Sequence, residues 1–214
     1  MTITKRTIYS TDDFDLTFEP IENSIKIKKT KQGYEVKYLT PDLNPDSPRN
    51  GDNLGSMVCF HRRYDLGDKT DLTSDNFNEW GELKWHIIET KKAVVIAPLY
   101  MYEHSGIRIK IGDFYGSGLP QGHARFDSGQ IGFIYVDEEK LKKEYSVKKI
   151  TKKIKERARQ VLESEIDTYD RYVSGDTYTI VKEIYNKNKE QVNMDCVGGF
   201  FGYEDSIEAL ETEI

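Results

Sequence analysis

The sequence predicts an α+β fold: a single domain over 1–214, with 1–23 peripheral to it, in which a largely antiparallel sheet packs against one long helix and shorter helices. Three observations predict it. Ser24–Lys28 and Tyr34–Tyr38 alternate with period two around Lys31-Gln32-Gly33, a hairpin pattern. Ile150, Ile154, Ala158, Val161, Leu162, Ile166, Tyr169 and Val173 recur at threes and fours, one apolar stripe on a long helix from Val147 to Val173. Tyr178–Tyr185 and Val192–Phe201 are two further strand-like runs across a short polar turn, Asn186–Glu190. Strands that arrive in adjacent pairs favour antiparallel pairing over βαβ crossovers.

In chain order, Phe14, Leu16 and Phe18 alternate and predict a short strand closed by Pro20. After the first hairpin, Thr40–Gly55 is rich in Pro, Gly, Asp and Asn and reads as a loop. Ser56–Tyr64 reads as a strand, with Met57, Cys59, His61 and Arg63 on one face. Ser74–Thr90 reads as an amphipathic helix with Phe77, Trp80, Leu83 or Lys84, Ile87 and Ile88 on its apolar side, weakened by Gly81. Ala93–Ile96 is an apolar strand stopped by Pro98, and Leu99–Glu103 continues it as a second strand. Ile107, Ile109 and Ile111 alternate with Arg108 and Lys110, a half-buried strand. The glycine-rich stretch 112–129 reads as a loop, Ile131–Val136 as a second apolar strand, and Asp137 as the cap of a short helix ending near Tyr145. Ser174-Gly175-Asp176 ends the long helix, and Glu204–Ile214 forms a terminal one.

Composition narrows the function classes. Low overall hydropathy here does not signal disorder, because aromatics make up 12% and include 14 Tyr. A net charge of −6 argues against a duplex-binding domain, which carries a basic excess. The charge is uneven, with seven basic residues in Lys148–Arg159 and five acidic ones in Tyr203–Ile214. Both read first as solvated helix faces. With two distant cysteines, a polar opening segment and no apolar run long enough to span a bilayer, the chain is expected to be cytoplasmic, with reduced thiols and no membrane contact.

Candidate chemistry gathers around four histidines. His61 follows Cys59 on a strand face, His86 lies in a helix, His104 ends an apolar strand, and His123 lies in the glycine-rich loop. Cys59, His61 and Cys196 with a fourth ligand would suit zinc, although none has finger-type spacing, and buried cysteine is more often a small core residue. No cofactor is expected. Ser105 or Ser128 with His104 or His61 as base and Asp127 as orienter would make a nucleophile site. The competing reading makes Ser105-Gly106 and Asp127-Ser128-Gly129 plain turns. Glu165 falls beside the long helix's apolar stripe, so it needs a partner, with Arg62, Arg63 or a tyrosine hydroxyl as candidates. Tyr100, Tyr102, Phe133 and Tyr135 would serve as stacking platforms or, more simply, as core.

Five segments together resemble a family of accessory proteins from bacteriophages, plasmids and integrative elements of Gram-positive bacteria. They are NLGSMVCFHRRYDLGDK (53–69), PLYMYEHSGI (98–107), FDSGQIGFIYV (126–136), ESEIDTYDRYVSGDTYTIV (163–181) and DCVGGFFG (195–202). The resemblance implies a bacterial host cell. It also implies a protein that binds, and inhibits or redirects, a host defence or nucleic-acid-processing complex of the anti-restriction or anti-CRISPR type. The resemblance assigns no residues; from the sequence itself, partner contact is expected at Arg62, Arg63, His104, Ser105 and Asp127, and at Glu204 and Asp205 of the acidic end. Direct nucleic-acid contact would fall on Lys148–Arg159. The alternative is a metal-assisted hydrolase acting on a nucleotide or nucleic acid through His61, His104 and Asp127.

Overall fold

The computed structural model describes residues 9–10, 14–115 and 126–212, so the His123 expectation lies outside the described residues. In chain order the elements are β1 Tyr9–Ser10, β2 Asp15–Leu16, β3 Lys26–Lys29, β4 Gly33–Pro41, β5 Ser56–Cys59, α1 Trp80–Glu89, β6 Ala93–Glu103, β7 Ile107–Ile111, β8 Ser128–Asp137, α2 Glu138–Glu144, α3 Lys152–Ser174, β9 Thr177–Asn186, β10 Gln191–Phe201 and α4 Tyr203–Thr212. The fold is α+β, and every strand pair among the described residues is antiparallel. The sequence reads as one domain. The described residues gather into two compact units, Met1–Asp46 with Gly175–Ile214, and Ser47–Ser174. The reason is topological: the chain leaves its first sheet after β4 and returns to it at β9.

The first unit is a sheet in the order β10-β9-β4-β3. The expected hairpin is present, with Lys26 opposite Lys37 and Lys29 opposite Tyr34. Gly33 opens β4 where the backbone of Tyr185 and Asn186 comes so close that any Cβ would collide with it. One sheet face buries Val36, Tyr38, Val181 and Tyr185 under Phe14 and Leu16. The opposite face packs Leu39 and Ile180 against Leu210 of α4. Glu183 is fully buried on the first face. It is satisfied by Thr17 N and Tyr38 Oη, each at 2.9 Å, and by the Tyr185 hydroxyl, all three donating to it.

The second unit is a sheet in the order β5-β8-β6-β7. Helix α3 lays Leu162, Ile166 and Tyr169 on the face that carries Met57, Leu99, Met101 and Ile109. Helix α1 covers the other face with Leu83 and Ile87 against Val58, Phe133 and Tyr135. Phe133, Tyr135 and Tyr102 are therefore core residues, while Tyr100 is half-buried. Asp137 caps α2 as expected, accepting from Lys140 N at 2.8 Å.

Four local expectations are corrected. Pro98 does not stop its strand, and β6 runs unbroken from Ala93 to Glu103. The Pro98 carbonyl accepts from Gly112 N at 3.0 Å, just past the end of β7. The N and C=O of one residue share a side of the strand, so the missing N–H falls where the ladder has ended. The strand expected over Ser56–Tyr64 ends at Cys59, because the chain turns back and Asp68 N donates to Met57 O at 2.9 Å. The helix expected from Ser74 is split into a 3-10 turn over Ser74–Asn76 and then α1 from Trp80. Asn76 Oδ1 accepts from Thr73 N at 2.9 Å, a side-chain bond that competes with helix continuation. Helix α3 starts at Lys152 rather than Val147, with Thr151 Oγ1 accepting from Ile154 N at 3.3 Å. Among the described residues no helix is long and apolar enough to cross a membrane.

Candidate functional site

Three of the segments singled out in the sequence converge in the second unit. The turn after β5 carries His61, Arg62 and Arg63; the end of β6 carries Glu103 and His104; and Asp127 stands directly before β8. All six side chains line one open cavity of about 580 Å³. The sheet register explains the meeting. β6 and β8 are neighbours, with Tyr102 opposite Ser128, which sets His104 beside Asp127. Phe60 N still donates to Ile131 O at 2.7 Å, so the turn after β5 leaves from the adjoining stretch of β8.

His104 Nδ1 lies 3.3 Å from Asp127 Oδ2. Backbone bonds hold this corner in place, since Glu103 N donates to Asp127 O at 2.8 Å and His104 N to Gly106 O at 3.2 Å. The His104 ring also stacks on Tyr102 at 6.2 Å. His61 is fixed differently. Its ring stacks on Tyr64 at 5.1 Å, and its Nδ1 accepts from Arg63 N at 3.3 Å. Tyr64 Oη donates to Glu103 Oε1 at 2.7 Å, and the Arg63 guanidinium pairs with the same carboxylate. The Glu103 bond, ahead of burial, raises the Tyr64 phenol above its ordinary range. Arg62 is exposed at the mouth, and among the described residues it forms no ion pair.

The turn readings of the two serine motifs separate here. Ser105 does sit in a turn, with φ of 54° and its hydroxyl donating to His104 O at 2.7 Å. Asp127-Ser128-Gly129 is not a turn, because Ser128 and Gly129 are already in β8.

The remaining candidates lie elsewhere. Cys59 packs against the α3-side core, and burial pushes its thiol well above the ordinary thiol range. Cys196 is exposed on β10 in the other unit, as is Asp195. Among the described residues no group of three or more His, Cys, Asp or Glu side chains is arranged to hold a metal ion, and Cys59, His61 and Cys196 form no such group. Glu204 and Asp205 are exposed in the first turn of α4, where acidic side chains also suit the helix dipole. The basic residues from Lys148 to Arg159 are exposed, and Arg159 pairs with Glu163 at 3.3 Å one turn on. Half-buried His86 meets Phe77 edge-on at 5.4 Å.

Glu165 does need a partner, but not one of those expected. Arg49 reaches it at 3.3 Å while also binding Asp68, Asn53 Oδ1 and Gly55 O. Leu54 N and Gly55 N donate to the same carboxylate. This network fastens the 47–56 loop to α3 and is structural. No pattern in the sequence marks Arg49, since its partners lie 19 and 116 residues away.

A second surface was not foreseen. β10 stands at the edge of its sheet, and among the described residues no strand pairs with its outer side. Its first nine residues are exposed on both faces, including Val192, Met194 and Val197. Register shifts fall at Val192 and at Gly198-Gly199, leaving Asn193–Val197 as a regular five-residue run. Alternation in the sequence identifies the strand but carries no information on which strand ends the sheet. No protein-family model, curated protein or solved structure matches the chain.

Proposed function

We propose that this protein works by binding, as an accessory protein of a bacterial mobile element that engages a host defence or nucleic-acid-processing complex of the anti-restriction or anti-CRISPR type. The observation that carries this reading is the β10 edge. Proteins ordinarily blunt such an edge with lysines, prolines or short strands, because its N–H and C=O groups are a template for another strand. Here the run Asn193–Val197 holds one charged residue, Asp195, and two exposed apolar ones, Met194 and Val197. That combination suits strand addition by a protein partner, with main-chain bonds supplying affinity and alternate side chains supplying specificity. The resemblance to accessory proteins of phages and plasmids supports a host partner.

The test is functional. A Gram-positive host carrying a restriction or CRISPR system is challenged with phage while it expresses the wild-type chain or the Met194→Lys/Val197→Lys double variant. The wild type is expected to raise plating efficiency, and the double variant to fail while melting at the same temperature. No protection against either type of system, or equal protection by the variant, overturns the reading.

A further inference from the structure

A different cavity of the second unit carries an inference that goes beyond the edge-strand reading and does not rest on it. We propose that the cavity of about 470 Å³ walled by Phe60, Phe77 and Trp80, and lined also by Glu79, receives an arginine side chain of a protein partner.

Three separate pieces of chain supply the rings. Phe60 comes from the turn after β5, Phe77 from the link before α1, and Trp80 from the first position of α1. The centroids of Phe77 and Trp80 each lie 6.3 Å from that of Phe60, and their planes are within 19° and 15° of its plane. Fully buried Leu83 adds an apolar surface. The rings are braced before anything binds. Phe60 N donates to Ile131 O at 2.7 Å, Trp80 meets Phe133 edge-on at 6.4 Å, and Phe77 meets His86 edge-on at 5.4 Å. A prearranged site spends little free energy on ordering itself when a ligand enters. Near-parallel faces suit a flat cation. The guanidinium is the flat cation of proteins, and it stacks on aromatic faces while its fork pairs with a carboxylate. Among the described residues no Lys or Arg of the chain itself stands over these three rings.

Charge selects the occupant. Glu79 holds the N-cap position of α1, yet its side chain makes no capping bond, and among the described residues its carboxylate has neither a hydrogen bond nor an ion pair. Glu82 is the acidic residue used locally, accepting from Asn78 N at 2.8 Å. A Cβ added at Gly81 would lie 3.3 Å from Glu79 Oε1, so the free carboxylate rests over the bare first turn of the helix, beside Trp80. The helix dipole favours an acidic residue at this position but does not call for an aromatic cavity next to it. The segment Ser74–Leu83 also carries Asp75 and Glu82, both exposed, and no basic residue. Such a rim repels the phosphate of a nucleotide and the free carboxylate of an amino acid. An arginine within a polypeptide brings neither, which leaves a protein as the source.

The experiment titrates the full chain to about 10 mM with a blocked pentapeptide holding one arginine among glycines, and follows the indole NMR signal of Trp80. The Trp85 indole, 67% exposed on the same helix, is the internal control. The arginine peptide is expected to shift Trp80 saturably and leave Trp85 in place, and the lysine counterpart to bind about 5-fold more weakly. Glu79→Gln alters an exposed residue without touching the rings and is expected to weaken the arginine peptide about 3-fold. Phe77→Leu is expected to weaken it about 5-fold or more. A lysine or trimethyllysine peptide that binds as tightly as the arginine peptide overturns the choice of a flat cation. Tighter binding of guanosine monophosphate overturns the charge argument and makes the cavity a base-stacking site. No Trp80 shift with the arginine peptide, or undiminished binding by Glu79→Gln, overturns the proposal. None of these measurements involves Met194 or Val197, so the edge-strand reading stands or fails separately.

Discussion

Arg49 meets Asp68 side-on through two parallel hydrogen bonds, Nε to Oδ1 at 2.8 Å and Nη2 to Oδ2 at 3.0 Å. The Arg49 side chain is 4% exposed and that of Asp68 31%, so the cation is buried while its carboxylate partner still meets water. Asp68 in turn accepts from Met57 N at 2.7 Å, which ties the returning chain to β5. Arg49→Met leaves Asp68 and Glu165 without their cation. The expected cost is about 3 to 5 kcal/mol, read as a lower urea midpoint. Arg49→Lys keeps the charge but loses the fork, and is expected to recover only part of that loss.

The tyrosines around Glu183 predict an alkaline limit. Burial, the largest cause, together with the Glu183 carboxylate pushes the Tyr38 and Tyr185 phenols well above their ordinary value near 10. Burial also pushes Tyr169 up to about 12. A phenol whose folded-state value is raised holds its proton more tightly when folded. Its contribution to stability is complete below about pH 10 and is lost as pH rises through 10 toward the folded-state value. The Cys59 thiol is raised by burial in the same way, so urea midpoints are expected to begin falling above about pH 8.5, where the unfolded thiol ionises, and to fall more steeply above about 10, where the unfolded phenols do. Tyr169→Phe is expected to make that fall shallower.

The two cysteines are expected to react at very different rates. Cys196 is exposed on β10, whereas Cys59 is partly buried against the core and its thiolate is disfavoured by burial. With an aromatic disulfide reagent, one thiol per chain is expected to titrate at once. The second should lag by about 100-fold or more until denaturant is added. Cys196→Ser should remove the fast phase and leave the slow one.

Gly132 sits in β8 opposite Cys59 and Leu99, where an added Cβ would be driven into the Val58 carbonyl oxygen and the Cys59 backbone. Gly132→Ala must push β5 away from β8 and is expected to cost about 3 kcal/mol. Gly129→Ala is the control, since nothing lies within 4 Å of its added Cβ. Thermal melts of the two variants separate a packing requirement from a general dislike of alanine in this strand.

Much of the fold was legible because it rests on local patterns. The alternation of 24–38 gives the first hairpin, Asp137 caps its helix, and Ala158, Leu162, Ile166 and Tyr169 of the stripe are buried as expected, whereas Val161 is left exposed. Two of the misreadings share a cause. Pro98 is tolerated because a neighbouring strand ends beside it, and β5 stops early because Asp68 returns to it. Neither fact is local. The Ser74–Thr90 helix failed for a local reason, since Asn76 and Thr73 satisfy each other outside a helix.

The sequence by itself determined the residue types of the candidate site: His61 with Arg62 and Arg63, His104 after Glu103, and Asp127 before an apolar strand. It also determined the α+β class, because periodicities of two and 3.6 follow from backbone geometry alone. Only the tertiary structure decided that these segments share one cavity, that Arg49 rather than Arg62 or Arg63 serves Glu165, and that β10 is an edge. Those are matters of strand order and register, set by burial summed over the whole sheet. No single stretch of chain contains that sum.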